Sequence, residues 1–260
     1  MSTTIPQRLI LPKTFDSRLI LFLSVVLGFL IRIAYLIKYS IPQRDAFYYG
    51  EIIEKWNATG EFCPDKFVAP LSLFLIGIPN RLFGYNPIKG AIIVNLALGL
   101  LLIALFVKFA YHLTHSHLAE TIVGIILATH PVFVTSSCDA LRENSFLLFY
   151  IMNIIALYAY TQRKYYLLPL ISLSAVSTFL CRFEGAELFI INYFLIICFP
   201  AKFSKQLIRK KTINILCYIV LCGVFLIVIS TLIGIPMSYY SDHLTSFVLK
   251  KMHQTTPIAF

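Results

Sequence analysis

The chain has 260 residues, of which 58% are hydrophobic and only 13% are charged, and its net charge at pH 7 is +10. Soluble domains contain about 25% charged residues, so this composition excludes a soluble globular protein and indicates a polytopic membrane protein. The basic residues fall in short clusters between apolar runs, with no continuous basic face, and this excludes nucleic-acid binding. Residues 1–18 are polar and no small-residue cleavage site follows the first apolar run, so we expect no cleavable signal peptide.

Seven apolar runs are candidates for membrane spans, because a spanning helix needs about 20 mostly apolar residues. They lie at residues 19–39, 88–107, 121–136, 145–160, 165–181, 186–199 and 213–235. The sixth run is short and contains Glu187, which makes it the least regular of the set. The predicted fold is therefore an all-α polytopic membrane protein, a single membrane domain over residues 1–260 with seven transmembrane helices.

The longest loop, residues 40–87, follows the first span and is predicted to contain amphipathic surface helices. Residues 45–59 have a helical pattern that begins at Asp45, a plausible N-cap, and stops at Gly60. The apolar side chains at helical spacing would lie on the membrane surface: Tyr48, Ile52, Ile53 and Trp56. The apolar run at residues 68–80 is too short to span and contains two prolines, so we expect an interfacial or re-entrant element there.

Lysine and arginine residues indicate the orientation, since cytoplasmic loops of membrane proteins carry an excess of them. With the N-terminus inside, the basic clusters at residues 163–164 and 202–211 both fall on the cytoplasmic side, and most acidic residues fall outside. The prediction is a multi-pass cell (plasma) membrane protein with a cytoplasmic N-terminus. The 40–87 loop, and any active site in it, would then lie on the extracytoplasmic face.

Charged residues gather at the predicted outer ends of several spans. Charges at membrane depth are costly and usually face a cavity or a partner, so this convergence predicts a polar pocket at the outer leaflet. Arg32 lies inside the first span but within two turns of its outer end, from which it can snorkel outward. The others occupy the long loop and the outer turns after the third and fifth spans: Asp45, Asp139, Arg142, Glu143, Arg182 and Glu184.

This mixture of charges fits the transfer of a sugar from a polyprenyl phosphate. The reaction needs a carboxylate that accepts the proton of the attacking hydroxyl, which Asp45 could provide. It also needs cations that hold the departing lipid phosphate, for which Arg182, Arg142 and Arg32 are candidates. Structural interpretations remain open as well: a helix cap for Asp45, a membrane anchor for Arg32, ion pairs for Arg142–Glu143 and Arg182–Glu184, and interfacial aromatics for Tyr48 and Tyr49.

Four segments, in order between residues 30 and 190, carry a resemblance to a known family. They are Leu30-Ile31-Arg32-Ile33 with Asp45, Tyr48 and Tyr49; Gly60 with Ala69-Pro70-Leu71 and Leu82-Phe83-Gly84; Pro131–Ser137 with Asp139 and Leu141-Arg142-Glu143; and Cys181-Arg182-Phe183-Glu184-Gly185. Together they resemble the GT-C superfamily of membrane glycosyltransferases. The similarity is to the bacterial group that includes protein mannosyltransferases of the dolichyl-phosphate-mannose type and aminoarabinose transferases.

The resemblance implies an inverting transferase with a GT-C-like module of seven spans, which uses a polyprenyl-phosphate sugar on the outer face. It implies that Asp45 is the catalytic base and that Arg182 contributes to the donor-phosphate region. The residues expected to bind donor phosphate or substrate are Arg32, Tyr48, Tyr49, Arg142, Glu143, Arg182 and Glu184. The chain departs from the family pattern at Ala69 and Phe183, where relatives usually have proline.

The expected partners are a polyprenyl-phosphate-linked sugar donor, an acceptor protein, lipid or polysaccharide, and membrane lipid. Two alternatives stay open. One is a transporter or flippase for a lipid-linked or anionic solute, against which the scarcity of mid-span polar groups counts. The other is a non-catalytic membrane subunit or fragment of a glycosyltransferase, which would act with a partner subunit, because relatives usually continue well beyond a seventh span.

The remaining motifs are weaker. His112, His115 and His117 cluster after the second span, but the predicted orientation makes them a solvated cytoplasmic turn, and no metal or other cofactor is expected. Cys63 and Cys138 both fall on the outer side and could form a disulfide in an oxidising compartment.

Overall fold

The computed structural model describes residues 16–39, 42–62, 64, 68–162, 164–198 and 205–240, with side chains of the last segment described from residue 211 onward. Regular structure in these residues is entirely helical. The helices are α1 (Ser17–Lys38), α2 (Arg44–Thr59), α3 (Pro70–Phe83), α4 (Pro87–Thr114), α5 (His117–Thr129), α6 (Pro131–Ser137), α7 (Glu143–Thr161), α8 (Leu168–Cys181), α9 (Glu187–Cys198) and α10 (Lys205–Leu232). Single 3-10 turns, Tyr165–Leu167 and Phe183–Ala186, precede α8 and α9.

The prediction of an all-helical membrane protein is confirmed for this part of the chain, but seven spans are not. Four helices are long and apolar enough to cross a membrane: α1, α4, α7 and the Lys211–Leu232 part of α10. Helices α5 and α6 would form a fifth span if they are counted together, although they are bent by 57°. The α9 helix has 12 residues, and at about 1.5 Å per residue it is much shorter than a hydrocarbon core of about 30 Å.

The bend between α5 and α6 is where the predicted third span breaks. Pro131 begins α6, and because proline has no backbone N–H, the carbonyl of Leu127 four residues earlier cannot receive a helical hydrogen bond. Arg32 of α1 replaces that donor: its Nη2 donates to the carbonyls of Leu127 at 3.4 Å and Phe133 at 3.2 Å. The guanidinium therefore joins α1 to both sides of the break.

Helix α2 begins and ends close to the predicted positions, but its cap differs from the prediction. Gln43 is the N-cap and makes no side-chain capping bond, whereas Asp45 lies within the first helical turn. Gly60 ends the helix in the left-handed conformation at φ 76°, which glycine adopts without steric cost. One face of α2, which includes Tyr49 and Trp56, is buried against α3 and α4, so the helix is part of the packed bundle.

Helix α3 packs into the bundle against α4 and α8 and is almost fully buried along Leu71, Ser72 and Leu73. Pro70 occupies the first turn, where the missing N–H is tolerated. Its Phe74 ring forms an aromatic cluster with Trp56 and Phe62, with ring centroids 4.8 to 5.9 Å apart. The interfacial element expected over residues 68–80 is thus a helix held between other helices.

At the far end of the bundle from α2, a buried carboxylate connects three helices. Glu120, in the first turn of α5, accepts a hydrogen bond from the Ser17 hydroxyl at 2.5 Å and pairs with Lys108 at 3.5 Å and with His117 at 3.1 Å. Ser17 starts α1 and Lys108 lies near the end of α4. Because this acid is fully buried, these partners offset the cost of removing it from water.

Candidate functional site

Three helix ends carry most of the predicted site residues to one end of the bundle. Asp45 and Tyr49 lie on the first turns of α2. Arg142 and Glu143 are the N-cap and first residue of α7, and Arg182 caps the C-terminus of α8. We use the name polar cluster for the following six residues, whose side chains interact electrostatically: Asp45, Tyr49, Arg142, Glu143, Arg182 and Glu184.

Arg182 is the paired cation of the polar cluster. Its Nη1 lies 3.5 Å from Glu143 Oε1, its Nη2 lies 3.3 Å from Glu184 Oε1, and its guanidinium sits 5.6 Å from the centre of the Phe146 ring. Burial alone would lower the pKa of Arg182, but the hydrogen bond and charge of Glu184, with the charge of Glu143, raise it overall. The pKa of Glu184 is lowered, since its bond to Arg182 outweighs the effect of burial. This pair is therefore ionised across the physiological pH range.

Tyr49 lies at the centre of the polar cluster and is only 4% exposed. Burial raises the pKa of its phenol; Arg142 and Arg182 lower it in part, while Asp45 and Glu143 add to the increase. With a pKa above its ordinary value of about 10, Tyr49 stays protonated at neutral pH and can donate a hydrogen bond. Tyr48, which was predicted beside it, lies instead on the exposed face of α2.

Asp45 and Arg142 differ from the other charged residues of the polar cluster because neither has an ion pair in the part of the chain that the structure describes. Asp45 is exposed, and within the described residues its carboxylate has no hydrogen bond or ion pair. The guanidinium of Arg142 is half-buried and likewise has no ion pair within those residues, although its charge acts on Tyr49 and Glu184. The polar cluster thus presents one carboxylate and one guanidinium that can bind an added molecule.

Two buried polar atoms of the ion pairs point to unused binding capacity. Arg182 Nε and Glu143 Oε2 are shielded from solvent, and neither has a hydrogen-bond partner in the described part of the chain. A buried polar group without a partner costs about 1–3 kcal/mol, so such atoms are usually satisfied by a water molecule or a ligand. One donor and one acceptor are therefore free for a polar group that enters the cluster.

The turn that carries Arg182 and Glu184 depends on Gly185. A Cβ atom at this position would lie 2.8 Å from the carbonyl carbon of Thr178 and 2.9 Å from the amide nitrogen of Phe179. Both are backbone atoms of α8 and cannot move aside as a side chain does. The Gly185 N–H also donates to the Arg182 carbonyl at 2.9 Å, which closes the turn. Only glycine allows this turn to lie so close to α8.

Arg32 is the predicted site residue that the structure places elsewhere. It is 1% exposed and lies inside the bundle, where all its described hydrogen bonds go to backbone carbonyls of α1, α5 and α6. The expectation that it snorkels outward to hold a phosphate is therefore wrong for this structure. Cys138 is also buried, beside the Arg32 carbonyl, and the proposed partner Cys63 lies outside the described residues.

Two further residues belong to the surroundings of the site. The Tyr150 hydroxyl of α7 interacts with the carboxylate of Glu187, the first residue of α9. Asp139, one of the charges from which the outer pocket was predicted, is buried and accepts a hydrogen bond from the backbone N–H of Gln43. Tyr150 is not among the residues predicted from the sequence; the signal that could have singled it out is a polar side chain within an apolar run, which needs a partner when buried.

No group of three or more His, Cys, Asp or Glu side chains within the described residues is arranged to hold a metal ion. No family model matches the chain, and no curated protein or solved structure matches it. The resemblance to GT-C glycosyltransferases therefore rests on the sequence motifs alone.

Proposed function

We propose that this protein is a membrane glycosyltransferase that moves a sugar from a polyprenyl-phosphate donor to an acceptor hydroxyl with inversion at the anomeric carbon. The observation that carries the proposal is that the Asp45 carboxylate and the Arg142 guanidinium, neither of which has an ion pair within the described residues, both act on the buried, protonated Tyr49. A base, a cation and a hydrogen-bond donor are the groups that this reaction requires.

Asp45 acts as the general base. Its carboxylate accepts the proton of the acceptor hydroxyl as the hydroxyl oxygen attacks the anomeric carbon from the side opposite the phosphate. The bond between that carbon and the phosphate oxygen breaks, and its electron pair stays with the polyprenyl phosphate. The products are the inverted glycoside, the lipid phosphate anion and protonated Asp45, which returns its proton to water.

Arg142 is the group best suited to bind the leaving phosphate, because its charge is not neutralised by an ion pair within the described residues. Charge-assisted hydrogen bonds from a guanidinium to a phosphate are among the strongest in proteins. The Tyr49 hydroxyl donates to the same anion. Arg182, paired with Glu143 and Glu184, mainly holds the α7 and α8 ends together, and its unpartnered Nε adds one donor.

The test is sugar transfer by purified protein in lipid vesicles, with labelled polyprenyl-phosphate sugars and crude envelope acceptors. Removal of a general base lowers rates by about 100- to 10,000-fold, and we expect a loss of that size for Asp45→Asn. The matched control is Glu51→Gln, which neutralises another exposed acid further along α2 and should leave transfer unchanged.

Full activity of Asp45→Asn would contradict the assignment of the base. Absence of transfer by the folded parent protein with every donor would contradict the enzyme class. A non-catalytic subunit, active only with a partner chain, would then be the better interpretation.

A further inference from the structure

One buried asparagine of the membrane-spanning helix α4 donates its side-chain hydrogen bonds to the turn between two other helices, α6 and α7. Asn95 of α4 is fully buried, and its Nδ2 donates to the carbonyls of Asp139 and Leu141, each at 2.7 Å. Residues 138–142 form the non-helical turn between α6 and α7, and that turn carries Arg142. We call residues 138–142 the α6–α7 turn.

A second amide completes the attachment from the other direction. Asn144, in the first turn of α7, donates from its Nδ2 to the Asn95 carbonyl at 3.0 Å and to the Ser136 carbonyl at 3.3 Å. The α6–α7 turn is thus held to α4 both before and after Arg142. Buried hydrogen bonds of this kind are strong because water cannot compete for the same groups.

The α6–α7 turn is in turn connected to the start of α2. The carboxylate of Asp139 accepts the N–H of Gln43 at 3.1 Å through Oδ2 and the N–H of Ala140 at 2.8 Å through Oδ1. Gln43 is the N-cap of α2, where a negative charge also interacts favourably with the helix dipole. Two residues later α2 presents Asp45.

Another buried amide shows how a purely structural asparagine behaves in the same bundle. Asn153 of α7 is also fully buried, but its Nδ2 donates to the carbonyl of Ile171 and the hydroxyl of Ser174, both within α8. It joins one helix to another. Asn95 instead fixes the irregular segment that holds one half of the polar cluster.

We propose that Asn95 and Asp139 are positioning residues, which set the placement of Asp45 and Tyr49 on α2 relative to Arg142 and Glu143 on the α6–α7 turn and α7. Asn95 holds the turn to α4, and Asp139 holds α2 to the turn. The catalytic consequence rests on the function proposed above, whereas the structural connection can be measured without it.

The attachment of the α6–α7 turn to α4 through Asn95 is tested by amide hydrogen exchange. The full-length parent protein in lipid vesicles is compared with Asn95→Leu. Loss of the amide leaves two buried carbonyls without their donor, so we expect exchange at residues 138–143 and 43–49 to become about tenfold faster or more. The matched control, Asn153→Leu, should leave both segments at the parent rate. Unchanged exchange in Asn95→Leu, or equal acceleration in the control, would overturn the proposal.

The attachment of α2 to the α6–α7 turn, the second link, is the bond from the Gln43 N–H to Asp139. It is tested by substitution of Gln43, an exposed residue, so that the fold is not at risk. Gln43 has φ −68°, the value that proline requires, and Gln43→Pro removes the N–H that Asp139 accepts. Gln43→Ala keeps this N–H and serves as the control. We expect faster exchange at residues 44–49 in Gln43→Pro only; the same exchange in both variants would overturn this link.

The kinetic test separates positioning from a general loss of structure. Misplacement of the base relative to the phosphate-binding groups acts mainly in the transition state, so kcat of Gln43→Pro should fall about tenfold or more while the KM for the donor changes little. An unchanged kcat alongside faster exchange would overturn the catalytic part of the proposal. If the parent transfers no sugar, the proposed function fails, but the exchange data still decide whether Asn95 and Asp139 position the two halves.

Discussion

Arg142 and Arg182 both belong to the polar cluster and carry the same charge, but their surroundings differ. Arg182 contacts two carboxylates and an aromatic ring, whereas Arg142 has no ion pair within the described residues. A cation that is already paired gains little from an added phosphate, while an unpaired one gains a full charge-assisted interaction. The same substitution at the two positions should therefore affect different properties.

We predict that Arg142→Gln weakens the donor interaction without destabilising the fold. Loss of a hydrogen bond to a charged group costs about 1.5–3 kcal/mol, which corresponds to a decrease of about 10- to 160-fold in kcat/KM for the donor. Arg182→Gln should instead lower the thermal unfolding midpoint, because it leaves Glu143 and Glu184 next to each other without their cation. Donor kinetics and unfolding in detergent measure both effects; a larger loss of stability in Arg142→Gln would contradict the distinction.

The break between α5 and α6 is an element-level feature that depends on two residues far apart in sequence. Pro131 removes a donor from the helix and Arg32 supplies another, so the two residues are coupled through the Leu127 carbonyl. The guanidinium of Arg32 fits inside the bundle because backbone carbonyls of α1, α5 and α6 accept its hydrogen bonds. This arrangement also explains why the residue is absent from the polar cluster.

We predict that Arg32→Met destabilises the protein by about 1–3 kcal/mol, the cost of buried carbonyls that lose their donor. In the Pro131→Ala background the helix can supply its own N–H to Leu127, so the cost of Arg32→Met should become smaller. A double-mutant cycle on the free energy of unfolding measures this coupling. Additive effects would show that Arg32 does not compensate for the proline; Arg18→Met, at an exposed position of α1, is the control.

The turn after α8 gives a second prediction at the scale of an element. Gly185→Ala places a methyl group against backbone atoms of α8, and overpacking of this kind costs about 1–3 kcal/mol. It should also displace Arg182 and Glu184 and reduce sugar transfer. The control is Gly223→Ala in α10, where an added Cβ meets nothing within 4 Å and helix propensity favours alanine by up to about 1 kcal/mol. Equal stability of the two variants would contradict the close packing at Gly185.

At the scale of the whole molecule, the helices hold two different polar assemblies at opposite ends of the bundle. The polar cluster joins α2, α7 and the α8–α9 turn, whereas Glu120 joins α1, α4 and α5 through Ser17, Lys108 and His117. The polar cluster has exposed groups and, among the described residues, two charges without an ion pair. Glu120 is fully buried and paired, which is typical of a structural connection.

We predict that the two ends face opposite sides of the membrane, with the polar cluster outside and the N-terminus inside. The test is labelling of Glu51→Cys and His115→Cys by a membrane-impermeant thiol reagent in intact cells, in a background without the native cysteines. Glu51→Cys should react in intact cells and His115→Cys only after permeabilisation, because the basic clusters belong on the cytoplasmic side. The opposite pattern would place the proposed site on the wrong face for an extracytoplasmic donor.

The amino-acid pattern alone predicts the class of the protein and the approximate positions of its helices, although it overcounts the membrane spans. Hydropathy and helix-stop residues act locally. For most helix ends, the apolar runs and Gly60 therefore predicted the position to within a few residues. The order of the charges predicted one polar pocket from Arg32, Asp45, Asp139, Arg142, Glu143, Arg182 and Glu184. Five of these residues lie in the polar cluster, whereas Arg32 lies inside the bundle and Asp139 holds the start of α2. Charges next to apolar runs can be placed in this way because they are costly at membrane depth and usually face a cavity or a partner at the end of a span.

The packing of the helices, by contrast, sets which of those residues are ion-paired and which can bind a ligand. The composition of an apolar run does not show whether a proline bends it. The replacement of the missing backbone donor at Pro131 by Arg32 also depends on a contact between α1 and α5. Long-range contacts likewise set three other features: the lack of an ion pair for Arg142 within the described residues, the burial of Tyr49 instead of Tyr48, and the attachment of α2 through Asp139. Local patterns do not specify such contacts, because partners distant in sequence are set by how whole helices pack.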